Sequence, residues 1–74
     1  MNNSQIQSIS DSCETIKESI QDIIHEMSSM SEQYKESDEY DDLSGDIDYL
    51  QKALYSTMDS VKVLKDFIDK ESVD

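Results

Sequence analysis

The sequence predicts an all-α protein, an antiparallel two-helix hairpin of the coiled-coil type that assembles into a four-helix bundle or a hetero-complex. Two stripes of apolar residues, spaced three and four positions apart, are the main reason. Side chains at these spacings share one helical face, and a strict 3.5-residue repeat forms the narrow seam of a coiled coil. The chain also lacks proline and has a single glycine, Gly45, which favours long helices with one break.

The first stripe predicts helix 1 over about residues 4–36. Its members are Ile6, Ile9, Cys13, Ile16, Ile20, Ile23, Met27, Met30 and Tyr34. A free cysteine acts as a small apolar residue at such a position, and no second cysteine is present for an internal disulfide. The outer side carries an acidic face, formed by Asp11, Glu14, Glu18, Asp22 and Glu26. Like charges four residues apart repel each other, so helix 1 must gain its stability from packing.

The chain reverses over about residues 37–45. Two serines are candidate N-caps of the next helix: Ser37, followed by Asp38 and Glu39, or Ser44. Gly45 lowers the local helix preference, which favours the second alternative and a turn set by Leu43 and Gly45. One long interrupted helix that pairs with another chain is the alternative to a reversal.

Helix 2 follows over about residues 46–70. The second stripe begins before it and consists of Tyr40, Leu43, Ile47, Leu50, Leu54, Thr57, Val61, Leu64 and Ile68. Apolar residues that flank the stripes should stay partly exposed in a lone hairpin and meet a second hairpin or a partner; these are Ile24, Ala53, Met58, Val63 and Phe67. The residues predicted to bind a partner are Ile16, Ile20, Ile23, Ile24, Met27, Leu50, Leu54, Met58, Val61 and Leu64.

The composition restricts the possible partners. Eighteen acidic residues face six lysines, for a net charge of −12. A phosphate backbone would be repelled, so we predict no direct nucleic-acid binding. No apolar run approaches the roughly 20 residues that cross a bilayer, so we predict no membrane insertion. The first ten residues have neither a basic start nor an apolar core, which indicates a cytoplasmic location or export without a cleavable signal peptide.

We predict no enzymatic activity, no cofactor and no metal. His25 lies off the seam beside Glu26, as a solvated surface histidine would. The acidic segment 38–48 suggests calcium, but an EF-hand loop with Gly45 as its sixth residue would begin at Tyr40, where aspartate is required. The predicted activity is therefore binding of a protein, either a second copy or a different chain.

An acidic helical hairpin that contains Leu43-Ser44-Gly45 resembles the WXG family of small ESAT-like proteins of type VII secretion. In that family a Trp-X-Gly turn joins two helices, and the LXG toxins and their helical partner proteins use a Leu-X-Gly variant of it. Tyr55-Ser56-Thr57-Met58-Asp59 matches the Tyr-X-X-X-Asp/Glu export motif of that family. The resemblance implies a partner or targeting factor that forms dimeric four-helix bundles. Two alternatives stay open: an acidic phage-type inhibitor that mimics DNA on a basic enzyme surface, and a structural subunit of a larger coiled-coil complex.

Overall fold

The computed structural model describes residues 3–71, which form three helices and no strand. They are α1 (Asn3–Ser28), α2 (Glu32–Lys35) and α3 (Asp38–Glu71). α1 and α3 pack side by side in opposite directions, and the described Cα atoms span 61 × 15 × 11 Å. The all-α prediction is confirmed. The predicted outer ends of the two long helices agree to within one residue, whereas the predicted end of helix 1 at about residue 36 and start of helix 2 at about residue 46 were wrong.

The connection between the two long helices begins at a run of serines. α1 ends at Ser28 instead of continuing to residue 36. The Ser28 and Ser29 hydroxyls donate hydrogen bonds to the His25 carbonyl at 2.7 and 3.2 Å, and Ser29 also donates to the Glu26 carbonyl at 3.0 Å. The backbone N–H of Ser29 also reaches both carbonyls at 3.2 Å, so serine side chains compete with the main chain for the last carbonyls of α1 and disfavour continuation of the helix. α2 adds a single turn before the chain reverses.

Ser37 ends the connection and starts α3. Its hydroxyl donates to the Tyr34 carbonyl at 2.6 Å and accepts the Tyr40 backbone N–H at 3.1 Å, which is the N-cap bond. Asp38, Glu39 and Asp41 follow in the first turn, where the helix dipole favours carboxylates. The Ser37 alternative for the cap is therefore confirmed, and the Ser44 alternative was wrong.

The prediction of a turn at Leu43 and Gly45 was wrong, because both residues lie inside α3. One glycine costs a helix interior only about 0.5–1 kcal/mol relative to alanine. The Ser37 cap, the acidic first turn and the apolar repeat that already begins at Tyr40 together outweigh that cost. The helical repeat thus runs through the glycine without a break.

Replacing Gly45 with alanine should therefore stabilise the protein. A Cβ atom added at Gly45 would meet nothing within 4 Å, and the residue has no positive φ. We expect Gly45→Ala to raise the free energy of unfolding by about 0.5–1 kcal/mol, measured by urea denaturation followed by circular dichroism. A turn at this position would instead make the substitution neutral or destabilising.

One residue of each heptad holds α1 against α3. This inner row comprises Ile6, Cys13, Ile20 and Met27 of α1 and Tyr40, Ile47, Leu54, Val61 and Ile68 of α3. Cys13, Ile20 and Leu54 form the central buried cluster. At the connection end the Tyr40 hydroxyl makes a long 3.4 Å hydrogen bond to the Met27 carbonyl. The core is consequently one side chain wide along most of the pair, with Met58 packed beside its central cluster.

Charged groups do not join the helices in the described residues. The two ion pairs there are local, and three of their four side chains are exposed while Lys35 is partly buried: Lys35 Nζ to Glu32 Oε1 at 3.9 Å and Lys52 Nζ to Asp48 Oδ2 at 3.1 Å. Such exposed pairs contribute little to stability. Apolar packing of the inner row is therefore what keeps α1 on α3.

Candidate protein-binding face

A second residue of each heptad remains half-covered. This outer row comprises Ile9, Ile16, Ile23 and Met30 of α1 and Leu43, Leu50, Thr57 and Leu64 of α3. Its apolar members are all between 39% and 47% exposed. In a complete coiled-coil seam these side chains would be buried beside the inner row. Each stripe in the sequence is therefore split into one row that is used within the chain and one that is not.

Both halves of the outer row emerge on the same broad side, here called the apolar face. On each helix the outer row lies three positions after the inner row. Because the two helices run in opposite directions, this same offset places both halves of the outer row on one side of the pair. Met30 and Leu43 accordingly line one hollow at the connection end. Successive steps of seven residues then pair Ile23 with Leu50, Ile16 with Thr57 and Ile9 with Leu64. The face consists of four such layers.

The borders of the apolar face are small and uncharged at its middle. By the same repeat, the bordering positions there are Ser12 and Ser19 on α1 and Ala53 and Ser60 on α3, all of them exposed. Carboxylates border the connection end instead. Asp22 and Glu26 line a hollow with Ile23 and Met30, and Glu39 lines the one that contains Leu43.

The reverse side of the pair has a different character. The corresponding positions on it are mostly polar: Ser10, Lys17, Ile24, Ser44, Gln51, Met58 and Lys65. One hollow there contains Ile24, Ser28 and Gln51, and a second contains Ser10, Lys62 and Lys65. Of the two broad sides, the apolar face therefore carries most of the exposed apolar side chains, and such patches mark interaction sites. Tyr49 and Val63, which are 76% and 69% exposed, lie apart from it at the heptad position of Ser56.

The structure divides the residues predicted to bind a partner. Ile16, Ile23, Leu50 and Leu64 lie on the apolar face. The others are Ile20, Met27 and Leu54, which are buried between the helices, Met58 and Val61, which pack on the buried cluster, and Ile24, which is exposed on the reverse side.

Sequence reasoning also missed outer-row positions. Ile9, Met30 and Leu43 have the same exposure as the face residues that were predicted. Sorting each stripe by steps of seven would have found them. Among the flanking residues expected to stay partly exposed, Val63 and Phe67 are 69% and 58% exposed, as predicted.

The residues of the acidic face are exposed but do not form one row. Its members are Asp11, Glu14, Glu18, Asp22 and Glu26, and all are exposed. Steps of four residues advance about 40° around a helix beyond a full turn. The carboxylates therefore drift around α1 until Asp22 and Glu26 reach the border of the apolar face.

Cys13 and His25 are the remaining candidates for chemistry. Cys13 is a buried free thiol in the central cluster, and His25 is exposed near the end of α1. Among residues 3–71, no group of three or more histidine, cysteine or carboxylate side chains is arranged to hold a metal ion. Within the same range, none of the helices combines the length and apolar composition of a membrane span.

Comparison of the chain with protein-family models, with curated proteins and with solved structures finds no match. Functional inference therefore depends on the apolar face itself.

Proposed function

We propose that the protein is a non-enzymatic helical hairpin that binds another protein through its apolar face. The observation that carries the proposal is the uniform half-exposure of the outer row across both long helices. A pair of helices with a core one side chain wide buries little surface, and chains of this size commonly need further packing to be stable. Four-helix bundles supply it, because each helix there contacts two neighbours.

A small partner or targeting factor of a type VII-like secretion system is the most specific form of this proposal. Two long antiparallel helices with an open apolar side support it. Leu43 and Gly45 do not support it in the way the family turn would, because they lie within α3. Neighbouring genes for an LXG toxin or a secretion ATPase would favour this form, whereas phage genes would favour an inhibitor.

Two adjacent isoleucines provide a matched test of the apolar face. Ile23 and Ile24 are both 39% exposed, but Ile23 lies on the apolar face and Ile24 on the reverse side. We expect Ile23→Asp to weaken partner binding by at least about 100-fold, as a buried charge without a partner costs several kcal/mol. Ile24→Asp should change it by less than about threefold. Affinity capture followed by titration calorimetry with the captured protein measures both.

Equal losses in the two variants, with both still helical by circular dichroism, would contradict binding through the apolar face.

A Glu18→Lys/Asp22→Lys variant belongs in the same experiment, since the exposed carboxylates of α1 favour the acidic-inhibitor alternative. If only that variant loses binding, and wild-type binding collapses as salt rises, the acidic face is the site. Retained binding in all three variants would favour a structural subunit that uses another surface.

A further inference from the structure

We propose that the apolar face is covered by a second copy of this chain, stacked face to face with its connection at the opposite end. This inference rests on the proposed function and names the partner. The surface is large enough for such a dimer. The whole broad side that carries the apolar face measures 61 Å by 15 Å between described Cα atoms, about 900 Å² in projection, and a second copy of the same length could cover all of it. Stable complexes bury roughly 800 Å² on each partner.

The middle of the face allows close approach by another helix pair. Ser12, Ser19, Ala53 and Ser60 border the central layers, and the described residues at these border positions carry charge only near the connection. Small side chains let helix backbones come close together, and an uncharged border avoids desolvation of ions. A chain of net charge −12 can therefore meet its own copy here with its carboxylates kept mostly outside the contact.

Two twofold arrangements are possible, and charge separates them. If the twofold axis runs parallel to the helices, the connections of the two copies lie at the same end of the dimer, and α1 faces α3 of the second copy. Glu26 then stands opposite Asp46 of the second copy, twice in the dimer. If the axis crosses the helices, each helix faces its own counterpart. Glu26 then stands opposite Ser12, and Asp46 opposite Ser60, of the second copy. Only the second arrangement avoids opposing like charges.

The layers favour the same arrangement. Thr57 is the polar member of the outer row, and it shares a layer with Ile16. With coincident connections, the two threonine layers would stack on each other at the same level. With opposed connections, the Ile16 and Thr57 layer meets the Ile23 and Leu50 layer of the second copy. Every contact level then contains mostly apolar side chains.

The opposed arrangement places Ala53 beside Ala53 of the second copy, near the twofold axis. We therefore expect Ala53→Cys, in a Cys13→Ala background, to form a covalent dimer on oxidation or with a short bismaleimide. Ser56→Cys is the matched control, because Ser56 is exposed on the same helix but off the apolar face; it should give at least about tenfold less dimer. Sedimentation should show a species of twice the 8.5 kDa chain mass.

Three other outcomes would overturn the proposal. If the protein stayed monomeric at about 100 μM, a second copy would be rejected as the partner. The comparison of Ile23→Asp with Ile24→Asp would still test binding to a different protein. A dimer that cross-links only when Ser19→Cys and Ala53→Cys chains are mixed would reject the opposed direction. A sedimentation dimer that persists unchanged with Ile23→Asp would reject the face. Circular dichroism on every variant confirms that a lost cross-link is not lost folding.

Discussion

Leu54→Asp should unfold the protein. Leu54 is 6% exposed and belongs to the central cluster with Cys13 and Ile20. Truncating a buried leucine costs about 2–5 kcal/mol, and a buried carboxylate without a partner adds to that cost. A single domain is stable by only about 5–15 kcal/mol, and a core this narrow lies at the low end. We expect most of the helical signal in far-ultraviolet circular dichroism to disappear.

Ser56→Asp provides the control, since Ser56 lies two residues further along α3 and is exposed. It should keep native ellipticity with a change in unfolding free energy within about 0.5 kcal/mol. If Leu54→Asp stayed helical and compact, the inner row would not be what packs α1 on α3. Loss of association in Leu54→Asp alone would say nothing about the apolar face, because the fold would be lost with it.

The thermal midpoint of the wild-type protein should rise with protein concentration. When a second copy covers the apolar face, folding and association are linked by mass action. Each tenfold increase in concentration adds about 1.4 kcal/mol to the stability of the dimer. For a dimer of two such chains this corresponds to roughly 3–6 °C per tenfold, so two decades should shift the midpoint by about 6–12 °C.

Leu50→Asp should abolish that dependence. Leu50 is 45% exposed in the outer row, so the substitution places a charge in the contact while leaving the inner row intact. Its midpoint should be lower than that of the wild type and constant with concentration, measured by circular dichroism over the same range. A wild-type midpoint that does not move with concentration would show that the chain folds without a second copy.

The sequence predicted the helical class well, because its apolar spacing persists across both long helices. It predicted the reversal less well. Ser28 and Ser29 end α1 through side-chain bonds to carbonyls, which a periodicity argument does not see. Gly45 was given too much weight, since its intrinsic cost is smaller than the combined contribution of the Ser37 cap and the apolar repeat around it.

The binding face could be predicted only in part, for a geometric reason. A stripe at spacings of three and four contains both heptad positions of a seam, and the sequence treats them alike. The structure separates Ile20, which is 2% exposed, from Ile23, which is 39% exposed. Which row turns inward depends on how the two helices lean on each other, and that is a tertiary property. Division of the partner-binding residues into covered and open sets therefore needed the structure.

The connection between α1 and α3 also restricts how relatives of this protein could vary in length. Tyr40 and Met27 meet where the chain reverses, so this contact sets the register of every layer beyond it. Insertion of a few residues in one helix would rotate one side of all layers beyond it and expose the buried row. If seven residues were added to both helices at once, the same rows would remain buried and exposed. Natural insertions and deletions should therefore occur as matched heptads, or be confined to the two open ends.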